Sequence, residues 1–264
     1  MVSMNGDGLR RVLCFHPSDG ILKHGHPETK EVPPFLRMAC GELSETNSCL
    51  EMIGMKPIVV LGIDLAGSPK RPTGICRMEG LTAVTRVVSS DEQIRSSVSP
   101  DVQLVAIDAP LSLPRGRCCL RPECDCAGKA HFRKCDLELR EMGIRLFPPT
   151  LGPMRMLTER GMRLKQRLEE AGYQVVETFP GGAQDILGMP RQKDPIGLRR
   201  ALKRCGVTGD VTKRAISTHE LDAVTCALAA RCCVRGKFLV AGDPDEGQII
   251  LPRPKKRARK RTAR

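Results

Sequence analysis

Residues 56–67 read KPIVVLGIDLAG, and residues 102–110 read VQLVAIDAP. In the first stretch Ile58, Val59, Val60, Leu61 and Ile63 are apolar on both alternating faces, the pattern of a central strand covered on both sides. The second repeats it with Val102, Leu104, Val105 and Ile107, and Pro110 stops the strand. Each run closes on an aspartate, Asp64 and Asp108. A carboxylate buried at a strand end is costly unless it is hydrogen-bonded, neutralised or bound to a cation. Open α/β sheets bind their ligands at the carboxyl ends of the strands. A single strand-end aspartate ordinarily caps a loop; two in matched contexts point to a shared site.

A third aspartate arrives on a helix. Ser217 and Glu220 fit a capping box, and Leu221, Val224, Ala227 and Leu228 follow at helical spacing. Asp222 therefore lies in the first turns, among apolar neighbours that turn it inward. His219 and Cys226 share its face; the cysteine reads as core, and the histidine reads equally as a partner of the site or as surface. In YQVVETFPGG, residues 173–182, Gln174 to Thr178 form a strand and Pro180 with Gly181 and Gly182 predict a turn. Glu177 falls among apolar residues, as a fourth ligand or as half of a structural ion pair. Three or four carboxylates suit Mg²⁺ or Mn²⁺, hard cations that take oxygen ligands and keep several waters.

The element order predicts the fold. Strands at 58–65, 73–79 and 81–88 form a meander, a short helix occupies 90–99, and the Asp108 strand follows. A basic helix at 154–171, the Glu177 strand and the Asp222 helix complete the run. With GIDLAGS, AIDAP, RKCDLELREMGIRLFPPTLGPMR, ETFPGGAQDILG and HELDAVTCALAA in this order, the chain resembles the family labelled domain of unknown function 429 over roughly residues 56–252. Members are regarded as predicted nucleases with a ribonuclease H-like fold, an α/β architecture in which helices flank a mixed sheet. The resemblance implies that Asp64, Asp108 and Asp222 bind divalent metal for phosphodiester hydrolysis, with Glu177 less securely matched. Two metal ions in such a site stabilise the attacking and leaving oxygens of the displacement. Two other readings share the topology: an ATP-phosphate-binding phosphotransferase using Asp64 to Ser68, and a non-catalytic nucleic-acid binder.

After the fourth strand comes an insert, about 111–150, whose stretch 115–136 reads RGRCCLRPECDCAGKAHFRKCD. The amino-terminal apolar runs are short and interrupted, unlike a secretory signal, and no run approaches the ~20 apolar residues that span a membrane. A reducing, cytoplasmic setting is expected, where clustered cysteines serve metal rather than disulfides. Cys119, Cys124, Cys126 and Cys135 are the expected zinc ligands.

The formal net charge of +13 favours a polyanionic partner, nucleic acid. Residues 253–264 carry eight basic and no acidic groups and read as a disordered tail with Lys255, Lys256 and Arg257 as phosphate contacts. Lys70 and Arg71, in the loop after Asp64, are further contacts. With one Tyr, six Phe and no Trp, stacking platforms are few, so backbone phosphate should dominate over base readout. Residues 1–54 lack periodicity and read as a flexible extension ahead of a single domain at 55–252. Past the Asp222 helix, Phe238 to Ala241 and Gln248 to Leu251 read as short strands, and the acidic GDPDEG between them as a solvated turn.

Overall fold

The structure is a computed structural model that describes residues 57–253. The expected extension at 1–54 and the tail residues Lys255, Lys256 and Arg257 lie outside the described residues. In chain order the elements are β1 (Val59–Asp64), β2 (Thr73–Glu79), β3 (Thr82–Val88), α1 (Asp91–Arg95), β4 (Leu104–Asp108), α2 (Lys134–Glu141), α3 (Gly152–Glu170), β5 (Val175–Thr178), α4 (Pro180–Leu187), α5 (Pro195–Arg204), β6 (Thr208–Gly209), α6 (Asp210–Lys213), α7 (Thr218–Val234), β7 (Phe238–Asp243) and β8 (Gly247–Pro252). They build one mixed α/β unit around an eight-stranded sheet in the order β6-β3-β2-β1-β4-β5-β8-β7. The meander β1-β2-β3 is antiparallel, while β1, β4, β5 and β8 run parallel. The two late strands form an antiparallel hairpin that extends the sheet beyond β5.

Alternation along each strand divides the core in two. Val60, Leu104, Ala106 and Val176 face α7 and α5, and Val59, Leu61, Ile63, Val105, Ile107 and Val175 face α1 and α3. A smaller apolar cluster holds α2 and α4 against the β7–β8 edge through Cys135, Leu139, Ala183, Ala241 and Ile249. Helix α7 is buried along most of its length, and it can lie so close to the sheet because two strand residues carry no side chain. A Cβ on Gly62 would stand 2.1 Å from the Ala223 carbonyl oxygen, and one on Gly74 would stand 2.1 Å from that of His219.

Four local expectations need correction. Pro180 opens α4 instead of a turn, because proline at a first helical position loses no hydrogen bond that the helix needs. Gly182 leaves room there for Phe179 and Ile144. The helix expected over 90–99 is only Asp91–Arg95, held by a Ser90–Gln93 capping box. The insert contains a helix, α2, which the expected element order leaves out. Helix α5 supports α7 through Leu198, Ala201 and Leu202, a packing absent from the expected element order.

Candidate metal centre

Asp64 ends β1 and Asp108 ends β4, and the two are direct partners across the parallel pair. They therefore point to the same face, the one under α7. Asp222 sits on that helix just past its capped start at Ser217 and is 8 % exposed. The parallel register sets two carboxylates side by side, and the bare Gly62 and Gly74 let α7, which carries the third, lie close above the sheet.

The surroundings treat the three acids differently. Asp64 Oδ2 is 2.7 Å from His219 Nδ1. Burial raises the Asp64 pKa and this contact only partly offsets it. Asp222 accepts a 2.7 Å hydrogen bond from Gln184 Nε2 on α4, and Gln184 also reaches Thr225. Burial and then the charge of Asp64 push Asp222 up to about 6, against the pull of Gln184. Asp108 has no hydrogen-bond partner among the described residues. Burial, Asp64 and Asp222 together hold its pKa well above the ordinary carboxylate range. Three acids thus repel one another in a poorly solvated corner, a field that a cation would relieve.

Glu177 does not join them. Alternation sends it to the opposite face, where its oxygens take 2.7 Å bonds from both terminal nitrogens of Arg133 and one from the Leu111 backbone N–H. Arg133 in turn grips Asp136. Burial opposes the charge on Arg133, but Glu177 and Asp136 outweigh it and raise its pKa well above the ordinary arginine value. Of the two readings of Glu177, the structural ion pair is the one found. Lys70 and Arg71 are exposed on the loop that follows Asp64. The acidic GDPDEG turn is engaged: Glu246 accepts 2.7 Å bonds from the backbone N–H groups of Arg115 and Lys134.

The thiol cluster also differs from expectation by one member. Cys118, Cys119, Cys124 and Cys126 bring their sulfurs within 4.8 Å of one another and can hold a metal ion. Cys135 is excluded, because α2 carries it into the apolar cluster beneath β7, where it is 0 % exposed. Backbone hydrogen bonds at Cys118 and Cys119 bring the Cys126 thiol down to about 6. Among the described residues no other group of three or more potential ligands is so tight. Asp64, Asp108 and Asp222 are not drawn into such a group.

Gln184, Arg133 and Arg160 were not singled out from sequence. Arg160, 1 % exposed on α3, bonds Asp91, the Ala66 carbonyl and the Ser89 carbonyl, so it fixes the backbone two residues after Asp64. A basic residue one helical turn before the buried Leu164 was the only signal for Arg160. No helix among the described residues is long and apolar enough to cross a membrane.

The family model described as "Protein of unknown function (DUF429)" matches residues 62–246, most of the chain. The chain belongs to the DUF429 family. No curated protein and no solved structure matches it.

Proposed function

We propose that this DUF429 member is a divalent-metal-dependent nuclease of ribonuclease H-like architecture, hydrolysing phosphodiester bonds. The strand order β3-β2-β1-β4-β5 within the larger sheet, with α7 laid over β1 and β4, supports the architecture. The observation that carries the chemistry is Asp108: a half-buried carboxylate at a strand end, paired in register with Asp64, repelled by Asp222 and without a hydrogen-bond donor among the described residues. A carboxylate in that position is stable only as an acid or beside a cation.

Asp64, Asp108 and Asp222 would hold the ion. When bound there, Mg²⁺ or Mn²⁺ supplies charge neutralisation for the phosphate and acidity to the attacking water. His219 and Gln184 keep the Asp64 and Asp222 carboxylates turned toward the shared space, so the ligands are set before substrate arrives. Lys70 and Arg71, exposed beside the Asp64 strand end, take substrate phosphates. Net charge and scarce aromatics favour nucleic acid gripped by its backbone.

The test is incubation of the purified chain with labelled single- and double-stranded DNA and RNA, with Mn²⁺ or with excess chelator. Hydrolysis that needs the divalent ion and falls at least about 100-fold in Asp108→Asn, the loss expected of a group acting in the transition state, is the predicted result. Hydrolysis unchanged in chelator, or equal in the variant, refutes the mechanism.

A further inference from the structure

The loop from Leu111 to Phe132 has too little apolar substance to hold its own shape. Between Arg115 and Phe132 the buried apolar side chains are Leu120 and Cys126, and the one regular element there is a 3₁₀ turn at Asp125–Gly128 whose first turn Cys124 does not cap with its side chain. Its neck, by contrast, is firmly tied. Glu177 takes the Leu111 N–H and the Arg133 guanidinium, and Glu246 takes the Arg115 and Lys134 N–H groups. A segment closed at its base and lacking a core needs a staple.

The sulfurs supply one. Cys118 and Cys124 Sγ are 3.6 Å apart, and Cys119 and Cys126 Sγ are 3.8 Å apart. Zinc–sulfur bonds of about 2.3 Å in a tetrahedron place each pair of sulfurs about 3.8 Å apart. The remaining separations stay within 4.8 Å, a cage for one ion, whereas a multi-iron cluster holds its sulfurs farther apart. Turns make the cage: the Cys124 N–H bonds the Arg121 carbonyl, and the Ala127 N–H bonds the Cys124 carbonyl. Four thiolates around Zn²⁺ leave two net negative charges. Arg121 lies beside Cys119, and Arg117 bonds the Ala127 and Ala130 carbonyls, so both cations are held near that charge.

We propose that Cys118, Cys119, Cys124 and Cys126 form a closed, structural four-thiolate zinc site that orders the loop between β4 and α2. It is separate from the aspartate centre and independent of the nuclease reading. With four protein ligands it keeps no open position, so it folds the loop and performs no chemistry of its own.

The experiment is elemental analysis of the full chain purified anaerobically with reductant, followed by exchange with Co²⁺. The wild type should carry about one zinc per chain and, with cobalt, show the visible absorption of a tetrahedral thiolate site. Cys118→Ser, at an exposed position, should retain less than about a tenth of the zinc while keeping the global unfolding transition and gaining proteolytic cleavage between Arg115 and Phe132. Cys135→Ser and Asp108→Asn should retain the full zinc content. Wild type without zinc, iron in its place, Cys118→Ser with undiminished zinc, or loss of zinc in Cys135→Ser would each overturn the assignment.

Discussion

Asp108 stands at the end of β4 with three like charges in range, Asp64, Asp222 and Glu177, and no donor to its carboxylate among the described residues. Replacing it by asparagine removes the repulsion, so without metal the variant should be more stable than wild type. Functional sites commonly carry such a cost, about 0.5 to 2 kcal/mol, which for a domain of this size is a melting temperature higher by about 2 to 6 °C. Calorimetric scans of both proteins in chelator at pH 7 decide the point; a lower transition for Asp108→Asn contradicts it. Asp222 adds a pH dependence. Its folded pKa of about 6 lies above that of an unfolded aspartate, so its contribution to stability is complete below about pH 4 and lost as pH rises through about 6. In chelator, Asp222→Asn should therefore flatten the fall in stability between these limits, measured by denaturant midpoints; an unchanged profile would place the titration elsewhere. The three aspartates were legible because each sits in an apolar run that fixes its element. The fate of Glu177 was not, because its partner Arg133 lies 44 residues earlier in sequence and only the fold shows which face each side chain takes.

Helices and strands were legible in proportion to their apolar patterns. The β1 and β4 runs, α3 with Leu164 and Leu168, and the capping box of α7 all read directly. The short helices did not. Gly181 and Gly182 disguise α4 as a turn, although Pro180 at its first position is a legitimate helix start. Cysteine density likewise hides α2, whose Cys135 and Leu139 face a cluster formed with distant β7 and β8. The close seating of α7 on β1 makes an element-scale prediction. In Gly62→Ala the new methyl would meet the Ala223 carbonyl at 2.1 Å and the Ala227 nitrogen at 2.3 Å, and backbone cannot yield as a side chain can. The helix must lift, taking Asp222 from its partners. We expect a loss of at least about 3 kcal/mol, seen as a melting temperature lower by about 6 °C or more or as insoluble expression. A wild-type transition in this variant would show that the helix is not seated so closely.

Across the whole molecule, charge sets how a polyanion is met. Eight basic residues lie within 253–264, and each phosphate they neutralise steepens the dependence of log affinity on log salt by about 0.7 to 0.9. If roughly half of them engage, a chain ending at Pro252 should bind nucleic acid with a slope shallower by about three units, measured on an Asp64→Asn background so that nothing is cut. Equal slopes would remove the tail from the interface. The antiparallel meander β1-β2-β3 was legible in the element order; the β7–β8 hairpin that extends the sheet past β5 was legible only as two strands, since no local pattern names a strand's neighbour. Under the proposed function, the corner between β1, β4 and α7 is a divalent-cation site. Titration of the full chain with Mn²⁺, free ion read by its paramagnetic resonance signal, tests it directly, because a hard ion has little use for the cysteine cluster. The wild type should take up Mn²⁺ saturably, and Asp108→Asn should bind it with an affinity at least about tenfold lower, with zinc content the same in both. Equal Mn²⁺ affinity in the two proteins would contradict the proposed site.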